Sequence, residues 1–192
     1  CWLGCVLAAC VTMGYARQDQ AGRQLNPFHE KQLQDQIQKC ASGVLACTDA
    51  EERCVKQQEL CQLLVRSERY DEALQVAHNV YQTKEAGAER RAAHHYLVAE
   101  IYNMKMQAST SLSEMDKHRQ NALAAAQDVL SKKYPSKWGV SEAARGLVHD
   151  LNDSGYMATV KQRVAARQGH AGDSAKEAIA DAQRRYLDAT QG

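Results

Sequence analysis

The chain has 192 residues, enough for one domain with a core of its own, and its 24 Lys and Arg nearly balance its 23 Asp and Glu. That balance excludes a strong field toward nucleic acid or an anionic membrane. Two prolines, abundant Ala, Gln, Glu, Lys and Arg, and no sustained apolar–polar alternation exclude a β fold and predict an all-α chain.

The first sixteen residues, CWLGCVLAACVTMGYA, carry no charge, and after Arg17 the chain turns polar and rich in Gln. Sixteen apolar residues are short for a spanning helix and suit the apolar region of an export signal, so residues 1–16 are set apart from the fold. Gly14-Tyr15-Ala16 has the small-x-small pattern of a cleavage site. Leu7-Ala8-Ala9-Cys10 looks like the lipobox of bacterial lipoproteins, with Cys10 as the lipidated residue. Cleavage after Ala16, lipidation at Cys10 and an uncleaved anchor all place the remainder outside the cytoplasm, whether periplasmic, envelope-anchored or secreted. Residues 17–27 read as a flexible lead, and 28–167 as the helical domain.

Four cysteines then follow at a strict spacing of seven: Cys40, Cys47, Cys54 and Cys61. On one straight helix neighbours at that spacing stand roughly 10.5 Å apart, beyond the ~7 Å between Cα atoms that a disulfide spans, so bonding requires a chain reversal. Gly43 can end a first helix, and Thr48-Asp49-Ala50-Glu51 reads as a capping box that opens a second. In such a hairpin the natural pairs are Cys47 with Cys54 and Cys40 with Cys61, with Cys40 to Cys54 and Cys47 to Cys61 left open. Two alternatives stand beside the disulfides. Cysteine can serve as a small core residue on a seam shared with Leu33, Ile37, Val44 and Val65, or the thiolates can hold a soft metal such as copper or zinc.

The clearest motif comes next. Leu60, Cys61 and Leu64 precede Arg69-Tyr70-Asp71-Glu72-Ala73-Leu74, which is followed by Ala77 and Val80. These positions resemble the tetratricopeptide repeat, whose two antiparallel helices carry a Leu, a small and a large residue on the first helix, and a Tyr with three small or apolar residues on the second. The pattern departs at the family's early Trp, here Gln57, and at its turn Gly, here Glu68. A second unit places Ala92, Val98, Ala99 and Tyr102 on its first helix and Ala122, Ala126 and Val129 on its second, with an insertion from roughly Gln107 to Ser113 between them. A third unit sets Val140 to Asn152 against Tyr156 to Arg167. The resemblance implies a short right-handed array of stacked helical hairpins, with an irregular helical bundle as the alternative. Ser174-Ala175-Lys176-Glu177 reads as a further capping box, so 168–192 is expected to be a linker and a terminal capping helix.

No His-Glu-x-x-His, glycine-rich phosphate loop, Gly-x-Ser-x-Gly or Cys-x-x-Cys-His occurs. Adjacent His94 and His95 point about 100° apart on a helix and cannot share one ligand site, so neither enzyme, metal nor other cofactor is expected. Asp71, Glu72, Glu100, Asp128 and Glu142 read as members of solvated faces. Tyr70, Tyr102 and Trp138 fall at core-like positions, whereas Tyr81, His95, Tyr96 and Asn103 are the candidates for a concave partner surface. The expected function is that of an exported helical-repeat scaffold binding a protein or peptide partner, without nucleic acid and with a lipid tether as an option. The alternative is a metal-binding or metal-storage protein built on the cysteine stripe.

Overall fold

The computed structural model describes residues 27–82, 87–132, 134 and 139–169, the side chains of Pro27 and Tyr81 excepted. Among them there are seven helices and no strand: α1 Pro27–Ala46, α2 Ala50–Arg66, α3 Tyr70–Gln82, α4 Ala88–Ala108, α5 Leu112–Ser131, α6 Val140–Asn152 and α7 at 154–169. The expectations for 1–16, Cys10, most of 17–27, Trp138 and nearly all of 168–192 lie outside the described residues. No helix of the described chain is long and apolar enough to cross a membrane.

Local chemistry accounts for most boundaries. Asp49 caps α2 by accepting the Glu52 amide at 2.8 Å, with Glu51 and Glu52 in the first turn and Arg66 in the last, each favourable to the helix dipole. The cap is therefore Asp49 and not Thr48, because the carboxylate three residues before Glu52 reaches its N–H. Gly43 does not end α1, which continues to Ala46; a lone glycine inside a helix costs only about 1 kcal/mol and is tolerated there. Ser111 opens α5 by accepting the Glu114 amide at 3.2 Å. Asp153 ends α6 and also accepts the Tyr156 amide at 2.6 Å, so one residue closes one helix and caps the next.

The α2–α3 turn is a Schellman motif: the Arg69 N–H donates to Leu64 O at 2.9 Å and the Glu68 N–H to Val65 O at 3.1 Å. This motif needs a left-handed residue, and Glu68 supplies it at φ 61°. It occupies the position where the repeat resemblance has glycine. No insertion is found at 107–113. Instead α4 and α5 each run past the usual repeat helix, to 21 and 20 residues, and meet at a three-residue turn.

Each helix packs on the next in the chain, and the first helices of successive hairpins also touch, α2 with α4 and α4 with α6. The molecule is thus a stack of helical hairpins, α2/α3, α4/α5 and α6/α7, with α1 laid on the open side of α2. Two apolar clusters hold it. Ile37, Leu60, Cys61, Leu64, Ala73, Leu74 and Ala77 of the first three helices enclose Val98 and Ile101 from α4. Met106, Met115, Ala122, Val129, Leu147, Leu151, Val160 and Val164 bind the later helices together.

The expected disulfide pairs are not formed; Cys40, Cys47, Cys54 and Cys61 are all thiols. The Cys61 thiol donates to Ala73 O at 3.3 Å and Cys54 packs with Val80, so α2 turns both toward α3. Cys40 donates to Lys56 O at 3.4 Å, on the side of α2 that faces α1. A hairpin reversal does occur, but it leaves the cysteines on separate seams, where they serve as small buried residues.

Candidate functional site

Helix α4 is contacted by α3, α5, α2 and α6, which makes it the most enclosed helix of the stack. At roughly 100° per residue its faces separate cleanly. Val98, Ile101 and Lys105 turn to α3, where the Lys105 ammonium meets Asp71 at 2.5 Å. His95, Ala99, Tyr102 and Met106 turn to α5. Opposite both lies a strip of Ala93, Glu100 and Met104, all half-buried. Leu97 and Arg90 border it on the α2 side, and Arg90 is ion-paired with Glu51 of α2. Tyr96, Asn103 and Gln107 border it on the other.

That second border is a polar seam onto α7. The Gln107 amide donates to the Tyr156 hydroxyl at 3.0 Å, and the hydroxyl donates to Asn103 Oδ1 at 3.3 Å. The Arg167 guanidinium caps the end of α4 by donating to the carbonyls of Gln107 and Ser109.

Glu100 sits at the centre of the open strip. The Tyr96 hydroxyl donates to its carboxylate, and among the described residues it makes no ion pair. Burial pushes its carboxyl up to about 7, against the pull of the Tyr96 hydrogen bond. The other carboxylates read as solvated faces do fit that description: Glu72 pairs with Arg69, Asp128 with Lys132, and Glu142 with Arg145 at helical spacing, while Asp71 meets Lys105 across helices. Glu100 departs from it. Its neighbours three and four positions away are Tyr96, Leu97, Asn103 and Met104, so the absence of any basic residue at i±3 or i±4 was the signal that could have singled it out.

The sequence-predicted partner residues are brought to one helix but not to one surface. His95 and Tyr96 are only 4% and 5% exposed, so neither is offered to a partner. His95 is instead fixed between α5 and the following linker: Nε2 faces Asp128 Oδ2 at 3.0 Å and Nδ1 lies 3.2 Å from the Tyr134 hydroxyl, whose ring stands edge-on to it. A neutral ring donating through Nε2 and accepting from Tyr134 satisfies both contacts. Burial, aided by Lys132, lowers its pKa to about 4 against the pull of Asp128. The imidazole, with both nitrogens engaged and the ring buried, locks a helix junction, while the Asp128 carboxylate stays partly exposed and also pairs with Lys132. Asn103 is half-buried at the rim of the strip, as expected of a surface candidate, and the Tyr81 side chain lies outside the described residues.

Two further buried histidines belong to the same hairpin. His94 Nδ1 donates to Arg90 O at 2.9 Å, which leaves Nε2 without a hydrogen-bond partner, and burial lowers its pKa to about 4. His118 stacks on Tyr102, its Nδ1 also without a partner, and burial with Lys105 nearby lowers its pKa.

Among the described residues no three His, Cys, Asp or Glu side chains gather as a metal site. Burial and Glu59 push the Cys40 thiol up, and burial and Glu52 push Cys47 up, so both are held away from the thiolate that a soft metal requires. The repeat-motif residues do come together: Leu60, Cys61, Leu64, Ala73 and Ala77 share one cluster with half-buried Tyr70 against it, and Val80 sits one turn on beside Cys54. The chain matches no protein-family model, no curated protein and no solved structure.

Proposed function

We propose that this protein is a helical-repeat scaffold, of the kind that tetratricopeptide repeats exemplify, which holds an extended segment of a protein partner across the first helices of its hairpins. The observation that carries this reading is the contact of α4 with α2 on one side and with α6 on the other, together with the half-open strip that α4 keeps. Stacked hairpins bury the stripes that each helix cannot bury alone, and the face made by alternate helices is then free for a guest. An apolar leader before residue 17 supports work outside the cytoplasm, at the envelope. The rival thiolate-metal reading draws less support, since Cys54 and Cys61 face α3 while Cys40 lies on the α1 side of α2.

A displayed library of random peptides, selected on the folded domain and mapped by amide chemical shifts, tests the proposal. Shifts concentrated on α2, α4 and α6 are expected. Recovery of no binder, or shifts confined to the outer faces of α3 and α5, overturns it.

A further inference from the structure

Glu100 is placed unlike any other described carboxylate of the protein. It occupies the middle of the strip of α4 that turns away from α3 and α5, half-buried, with a tyrosine hydroxyl as its hydrogen-bond donor and, among the described residues, no cation paired with it. The basic groups nearest along the strip are already engaged: Arg90 with Glu51, Lys105 with Asp71, and Arg167 with the carbonyls at the end of α4. A half-buried carboxylate without a countercharge is unfavourable, and a structure retains one where something else completes it. Its surroundings define what that is. Leu97 and Met104 supply apolar surface one turn away on either side and Ala93 one turn further, while Asn103, tied to the Tyr156 hydroxyl, stands at the rim with amide oxygen and nitrogen.

We infer that Glu100 is the specificity residue of the partner surface and receives a lysine or arginine side chain from the bound segment. The aliphatic stem of that side chain lies on Leu97 and Met104, as long basic residues commonly lie on apolar surface with the charged head kept in polar company. The head pairs with the Glu100 carboxylate opposite the Tyr96 hydroxyl. A neutral or acidic side chain at the same place would leave the carboxylate uncompensated, so selection comes as much from rejection as from attraction. The inference rests on the scaffold reading given above.

Four pools of capped octapeptides, random except for one central residue fixed as Lys, Arg, norleucine or Glu, provide the test. Each pool is titrated into the full 192-residue chain by fluorescence anisotropy, and the Glu100 carboxyl is followed by its carbon resonance. The Lys and Arg pools should bind at least about tenfold more tightly than norleucine, with Glu the weakest, in line with a desolvated charge pair. Binding of either basic pool should also move the Glu100 titration down toward the ordinary carboxylate range. Glu100→Gln should reduce both basic pools to the norleucine level while its amide spectrum stays folded. Met104→Lys, which sets a cation one turn beyond the intact carboxylate, should do the same by pairing with it. Binding on α4 without a basic preference, or a preference that survives both variants, overturns this inference and leaves the scaffold intact. Failure of every pool to bind overturns both.

Discussion

The first and second hairpins solve the same packing problem with different side chains. In α2/α3 the seam is aliphatic and cysteine: Leu60, Cys61, Leu64, Ala73 and Ala77, closed by Ile37 from α1. The hairpin α4/α5 instead buries three histidines, and α4 also buries Arg90 on its α2 side and carries Glu100 half-buried on the strip away from α5. The difference follows from position in the stack. Helix α2 has an exposed side on which to put its polar residues, whereas α4 is enclosed by neighbours on every side but the half-buried strip around Glu100. A surrounded helix must therefore give each polar group a partner or accept a displaced pKa, and α4 does both.

The comparison can be broken first at the point where the hairpins meet. Ile101 projects from α4 into the cluster of the first hairpin and is fully buried. Ile101→Ala should cost about 2–5 kcal/mol in urea unfolding, the range for a buried large-to-small change. A loss below about 1 kcal/mol would mean that the hairpins are not joined there.

Acid should act on the second hairpin before the first. His94 and His95 have pKa values near 4 when folded against 6.5 unfolded, so the unfolded chain takes up protons first as the pH falls. Their stabilising contribution is complete above about 6.5 and is lost toward 4, by about 2–3 kcal/mol for each. Melting temperature measured between pH 7.5 and 4.5 should fall accordingly, and His94→Leu should remove its share of the slope. A melting curve independent of pH across that window would contradict the burial of these rings.

Glu100 should show the opposite sign. With its folded pKa raised to about 7 from 4.5, it favours the folded state at acid pH, and that contribution is lost as the pH rises through 7. Glu100→Gln keeps an acceptor for Tyr96 and sheds the charge. It should be about 1–2 kcal/mol more stable than the parent at pH 8 and equal to it near pH 4.5. Equal stabilities at both values would place Glu100 in open solvent.

The smallest effect belongs to the first hairpin's turn. Glu68 holds a left-handed conformation that costs a residue with a Cβ about 1 kcal/mol or more. Glu68→Gly should therefore raise stability by about 1 kcal/mol in the same denaturant assay, and a loss would mean that its side-chain contacts outweigh the strain.

Much of the architecture was legible in the chain. The third unit, read as Val140 to Asn152 against Tyr156 to Arg167, matches α6 and lies within α7, because apolar spacing and the Asp153 boundary are local signals. The motif from Leu60 to Val80 reads correctly as a buried seam for the same reason. The cysteine spacing misleads, since a period of seven says which residues share a stripe on one helix and nothing about which seam that stripe joins after a reversal. His95 and Tyr96 mislead likewise: a helix is judged from its own residues, and these do not say that its one open side is the strip around Glu100 and not the face that holds His95.

Sequence alone determined that the chain is helical, the extent of α6, the opening of α2 near Asp49, and which small and aliphatic residues line the first seam, because propensity, capping and periodicity act within a few residues. Only the tertiary structure decided that α4 lies at the centre, that three histidines are sealed off, and that Glu100 stands without a countercharge among the described residues. Burial and electrostatic environment are set by helices distant in the chain, and no local pattern carries them.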